Sequence, residues 1–148
     1  MAVMGRFDAS QVELLRDNLR NVTQHDIDTF FRDCAKELTQ RLLRKAVQKT
    51  PVGVYPSSSG KTGGTLRRGW TDCLNSFSIN HSGDMYIVEL SNDVEYASYV
   101  EYGHRTRDHA GWVEGKFMMT ISEREIQDSA PSILNRKFER FLRSVFTV

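Results

Sequence analysis

Apolar positions recur at three- and four-residue steps along most of this chain, with one stretch of strand formers and one stretch that has no period. From Asp26 to Gln48, the residues Phe30, Phe31, Cys34, Ala35, Leu38, Leu42, Ala46 and Val47 share one side of an amphipathic helix. Arg32, Lys36, Arg41, Arg44, Lys45 and Lys49 take the other side, and the last of them suit the negative end of the helix dipole. Thr50-Pro51 ends the helix, because proline disfavours helical backbone in the residue before it. A shorter helix is expected over Ser10 to Leu19, where Ser10 with Glu13 forms a capping box ahead of Leu14, Leu15 and Leu19.

Pro51 to Gly69 holds five glycines, two prolines and the run Ser57-Ser58-Ser59. Freezing such a stretch costs chain entropy, so it is expected as a long loop, mobile in an isolated subunit. Trp70 to Asn80 and Met85 to Leu90 read as two antiparallel strands around His81-Ser82-Gly83-Asp84. Tyr96, Ala97, Tyr99, Val100 and Tyr102 then fit a short helix stopped by Gly103, its tyrosines packing it on the hairpin, with a loop through Gly111. The helical period returns at Val113, Phe117, Met118 and Ile121 and runs through Ala130, Ile133, Leu134, Phe138, Phe141, Leu142 and Val145. Pro131 predicts a kink or a two-helix break there. The expected fold is one α+β domain over residues 1–148, a small antiparallel β-sheet packed against the long helix of the N-terminal half and a C-terminal helix, with the glycine/serine-rich loop 51–69.

At 148 residues and 39% apolar, before its ten glycines are added, the chain has the composition of one globular domain and not of a disordered one. Its net charge of +1 gives no global attraction to nucleic acid or to anionic membranes. The distribution of charge changes that picture. Residues 1–35 carry four basic and six acidic groups, and residues 36–71 carry eight basic and one acidic. Residues 72–104 carry Asp72, Asp84, Glu89, Asp93, Glu95 and Glu101 and no Lys or Arg, while the remainder holds eight basic and six acidic groups. Such segments can settle against each other inside the fold or between copies, and charge alone leaves the two readings level. Cys34 and Cys73 have no CxxC or Cys/His pattern, so a reducing compartment is the default. No apolar run is long enough for a membrane span, and Met1 to Asp8 has no signal-peptide core, so a soluble protein is expected.

Catalytic patterns fail on spacing or context. Gly60-Lys61-Thr62 resembles the end of a phosphate loop, but Tyr55 stands where the first glycine is required, and a helix precedes it in place of a strand. His104, Asp108 and His109 match no familiar metal-ligand spacing and read as loop residues. No GxSxG or HExxH is present, and both cysteines read as core thiols. The acids from Glu95 to Glu101 read as the charged side of a surface helix. Lys61, Arg67, Arg68 and Trp70 could hold a phosphate backbone, but one aromatic is thin support for stacking, and a solvated face or protein interface is favoured. No catalytic residue, cofactor site or metal site is expected; a nucleic-acid-binding module and a small metal-dependent enzyme are the alternatives.

Three segments stand in a telling order: Thr50-Pro51-Val52 after a basic amphipathic helix, then Thr62-Gly63-Gly64-Thr65-Leu66-Arg67-Arg68-Gly69-Trp70, then Tyr96-Ala97-Ser98-Tyr99-Val100-Glu101-Tyr102-Gly103-His104. Together they resemble the gene-ten-like tail-component family of tailed bacteriophages. Asn92 and Phe117-Met118 fill two further positions, so the likeness runs over about residues 28–125 and draws its specificity from the order of several short motifs. The chain departs from the family in the inserted segment Gly53 to Gly60 and in His104, where the family often has threonine.

The resemblance implies a non-enzymatic tail-completion or neck subunit, without cofactor. It would sit in a homo-oligomeric ring, expected as a hexamer, that helps join head to tail at the head-proximal end. The implied partners are the adjacent head-closure or connector and tail-terminator proteins, with DNA passing through the channel without sequence-specific binding and no membrane. The implied location is the virion, after assembly in the host cytoplasm. A ring needs a heterologous interface. Its expected residues are Lys61, Arg67, Arg68, Trp70, Glu95, Tyr99, Glu101, Gly103 and His104, with Arg67 and Arg68, steadied by a buried Trp70, meeting Glu95 and Glu101 of the adjacent copy. The long loop is expected to order between neighbouring rings.

Overall fold

The computed structural model describes residues 10–146, and the leader reading of Met1 to Asp8 falls outside them. Helix α1 spans Ser10–Asn21 and α2 spans Gln24–Lys49. The start of α2 precedes the apolar period by two residues because Thr23 caps it. The Thr23 hydroxyl accepts from the Asp26 N–H (3.2 Å), and the Asp26 carboxylate accepts from the Thr23 N–H (2.8 Å). At the other end Thr50, extended ahead of Pro51, returns its own N–H and its hydroxyl to the Ala46 carbonyl.

Helix α5, Met118–Val145, lies against α2, and α3, Thr65–Ser76, packs beside them. Leu43, Ala46, Leu66, Trp70 and Met118 form the core, with Leu43, Ala46 and Met118 wholly buried. Burying Leu43 alone contributes about 2 kcal/mol. Toward the start of α2, Phe30 lies between the rings of Phe138 (6.1 Å) and Phe141 (4.7 Å). The basic side of α2 is partly matched within the chain: Lys45 (2.7 Å) and Lys49 (2.9 Å) both reach Glu125, while Lys137 of α5 reaches back to Glu37 (3.0 Å). That share of the charge segregation is settled inside the subunit, by α5 and not by the acidic segment 72–104.

Two antiparallel hairpins stand in place of one sheet. In the first, β1 (Ile79–Ser82) pairs with β2 (Met85–Val88) across Gly83-Asp84, with His81 opposite Tyr86. A six-residue helix α4 (Ala97–Tyr102) follows and stops at Gly103. In the second hairpin, β3 (Gly103–Arg105) pairs with β4 (Trp112–Glu114). The fold is α+β, with the long helices of both halves present.

Four expectations are corrected. Trp70 to Asn80 is helix as far as Ser76, because Leu66, Trp70, Cys73, Leu74 and Phe77 repeat at helical steps and face the core. The same helix takes Thr65 to Gly69 out of the expected loop, and between Thr50 and Thr65 the regular structure is a 3-10 turn at Ser57–Ser59. The segment to Gly111 is a hairpin, with Val113 in a strand. Pro131 does not break α5, since the proline sits on its exposed side where water can reach the carbonyl that loses its donor. Among the described residues no helix is long and apolar enough to cross a membrane.

Candidate interaction face

The short motifs converge on one junction beneath α4. The Arg67 guanidinium donates to the Thr50 carbonyl (2.7 Å), tying α3 to the end of α2. The Thr50 hydroxyl, in contact with Ala46, also lies 3.2 Å from the Met118 sulfur. Gly63 lets the chain pass the Gly53 carbonyl at a spacing that any side chain would close. Gly69 leaves room for Asn92, whose amide donates to the Leu66 carbonyl (3.0 Å) and whose oxygen accepts from the Val94 N–H (3.2 Å). Trp70 is 7% exposed and stands in the core, as expected.

Glu101 corrects the reading of a surface acid. It is 6% exposed and its carboxylate caps α5, accepting from the N–H groups of Met119 (3.0 Å) and Thr120 (2.9 Å) and from the Thr120 hydroxyl (2.7 Å). The first turn of α5 has free donors and a positive dipole end, so a carboxylate there is in its favoured place. Backbone bonds run alongside: Lys116 donates to the Val100 carbonyl (2.7 Å) and Phe117 to that of Glu101 (3.0 Å). Glu101 therefore spends its charge inside the subunit, and the half-buried Arg67 spends one of its donors there.

The same helix turns its aromatic side to solvent. Ala97, Val100 and Glu101 face inward, while Tyr96, Tyr99 and Tyr102 are 44%, 60% and 64% exposed. The expected packing of these tyrosines on the hairpin does not occur, because the small and branched residues of α4 take the inner side. Beside Tyr96 lies the 51–64 segment, where Val52, Tyr55, Lys61 and Gly63 share a hollow with Tyr96 and Val100. Lys61 is exposed, as are Arg68 and Glu95. Arg68 bonds only locally, to the Gly63 carbonyl (3.2 Å) and the Thr65 hydroxyl (3.0 Å). His104 is half-buried, with its ring 5.8 Å from that of Tyr99. Gly103 is buried with φ +86° against the Val113 carbonyl. The structure thus divides the expected interface into an inner set, Arg67, Trp70, Glu101 and Gly103, and an outer set, Lys61, Arg68, Glu95, Tyr99 and His104.

Toward the start of α2, Asp28 holds the first hairpin. Its carboxylate accepts from the Tyr86 hydroxyl (2.7 Å) and from Arg32 (2.7 Å), and His81, 3.5 Å away, stacks flat on the Tyr86 ring (4.4 Å). The spacing pattern had no signal for this cluster, since its members come from two distant segments. The Tyr86 and Arg32 hydrogen bonds hold the Asp28 carboxyl below the usual carboxylate range. A carboxyl lowered in the fold stabilises it above the unfolded value and loses that contribution as pH falls through the folded one. Asp28→Asn is accordingly expected to lower the melting temperature by a few degrees near neutral pH, with the gap from wild type closing toward pH 3 in a thermal scan.

No group of three or more His, Cys, Asp or Glu side chains is placed to hold a metal among the described residues. The Asp108 carboxylate is taken by the Thr106 hydroxyl and the Ala110 N–H. Thr50, Arg67, Asn92 and Glu101 serve the fold, while Tyr96, Tyr99 and Tyr102 face outward; such a molecule is equipped to bind other proteins. A family model, "Bacteriophage HK97-gp10, putative tail-component", matches residues 13–103, and the chain belongs to this family. The match includes Asn92 and ends at Gly103, so Phe117-Met118 lies beyond it. No curated protein and no solved structure matches the chain. The chain is therefore of a structural kind, a bacteriophage tail component with its place in the virion and its partners among other phage proteins.

Proposed function

We propose that this chain is a tail-completion or neck subunit, a member of a hexameric ring at the head-proximal end of the tail that helps connect head and tail. The observation that carries the reading is the exposed tyrosine row Tyr96, Tyr99 and Tyr102, whose first member borders the 51–64 segment, in a chain of the tail-component family. Tyrosines give a large contact area with little rotamer entropy to lose, and they recur at the centres of protein interfaces. The outer set Lys61, Arg68, Glu95, Tyr99 and His104 borders this face and would meet the adjacent connector or terminator ring. A segment that orders against a partner can wrap it widely, which suits 51–64 to a contact between rings. A nucleic-acid module finds less support, because Arg67 and Trp70 are turned into the fold. DNA would pass such a ring without being read.

The test is electron microscopy of purified tailed particles carrying a gold-labelled copy of this chain. Label at the junction of head and tail is the expected result. Label along the tail tube, or at its distal tip, would overturn the placement.

A further inference from the structure

The outward sides of the two hairpins are complementary. From β2 onward exposure alternates, so Met85, Ile87 and Glu89 face solvent while Tyr86, Val88 and Leu90 turn inward. Met85 is 64% exposed and Ile87 41%. The Glu89 carboxylate has no hydrogen-bond or ion-pair partner among the described residues. In the second hairpin Arg105 stands opposite Trp112 across the ladder, so the two side chains project to the same side. Trp112 is 56% exposed, and the exposed Arg105 guanidinium has no such partner among the described residues either.

One surface is thus methionine and isoleucine beside a free carboxylate, and the other is tryptophan beside a free guanidinium. Thioether against an indole edge is a favourable contact, and the adjacent charges fix its register. Two copies meeting by the first hairpin would bring its carboxylates, Asp84 and Glu89, against the same acidic pair, which like-charge repulsion disfavours. Unlike hairpins meeting leave one free surface at each end of a pair, the heterologous geometry that closes into a ring.

We propose that copies of this chain join head to tail through these hairpins. Trp112 of one copy packs on Met85 and Ile87 of the next, and Arg105 pairs with Glu89. The contact rests on the ring reading and adds to it the lateral joint between subunits, separate from the α4 face.

The test co-expresses wild-type and variant full-length chains during particle assembly and measures their ratio in purified tailed particles by mass spectrometry. Glu89→Arg and Arg105→Glu are each expected to enter particles about tenfold less than wild type, and the double reversal to return to within about twofold. Circular dichroism of each variant verifies that it is folded. Single variants entering at parity, or a double variant no better than the singles, would overturn this contact while wild type in the particles keeps the ring reading. Absence of the wild-type chain from particles would overturn both.

Discussion

Glu101→Gln is expected to destabilise the isolated subunit by about 3 kcal/mol, since hydrogen bonds to a charged acceptor contribute about 1.5–3 kcal/mol and favourable helix-end charge up to about 2. For a domain of this length that lowers the melting temperature by on the order of 10 °C. Glutamine keeps the shape of the side chain but can turn only one oxygen toward α5, and its amide hydrogens would oppose the Met119 or Thr120 N–H. The measurement is thermal or urea unfolding of the free subunit. A carboxylate that served a neighbouring copy would give a different result: unfolding unchanged and only assembly weakened.

Gly103→Ala is expected to cost more, about 3–5 kcal/mol. Its φ of +86° with ψ of 172° is a conformation that belongs to glycine, and holding another residue there costs about 1–3 kcal/mol. A methyl group would also collide with the Val113 carbonyl and press on the Gly115 N–H, adding the cost of overpacking, about 1–3 kcal/mol. Gly103 is the last residue of the turn off α4 and the first of β3, so its strain would reach both the Glu101 cap and the second hairpin. Equilibrium unfolding of this variant measures the sum, and Gly83→Ala is expected to be milder. At Gly83 φ is +59° and an added methyl meets open space, so only the backbone cost applies.

Where the period was long, the fold was legible in the residues. The α2 helix, strand β2 with the turn before it and the stop at Gly103 follow from apolar spacing, turn chemistry and a helix-ending glycine, whereas His81 and Ser82 belong to β1 and not to the turn. Helix α3 was hidden because Trp70, Thr71, Phe77 and Ile79 are strand formers, and composition outweighed the helical steps that link Leu66 to Trp70, Cys73, Leu74 and Phe77. The second hairpin has strands of three residues, too short for any alternation to register. The buried Glu101 was legible in part: it follows Ala97 and Val100 at helical steps on the inner side of α4, opposite the tyrosines. Reading all acids in a helix as its solvent side obscured this. The Asp28, Tyr86 and His81 cluster depends on how β1 and β2 lie on α2, which no local pattern encodes.

These particulars explain why the segments that carry the resemblance are short and scattered along the chain. Thr50, Gly63, Gly69, Asn92, Glu101 and Gly103 are the points where α2, α3, α4 and α5 are fastened, each set by a close backbone approach or an anchored hydrogen bond. The residues left to meet partners, Tyr99, Tyr102, Met85, Ile87 and Trp112, need only be apolar and exposed. A fold fastened in this way carries two kinds of exposed surface, which the proposed ring would turn toward adjacent rings and toward its own copies.

Counting the copies of this chain in each purified virion, by quantitative mass spectrometry against a tail protein of known number, tests the central claim most directly. The ring account predicts a full hexameric complement per particle. A single copy, or none, would contradict it.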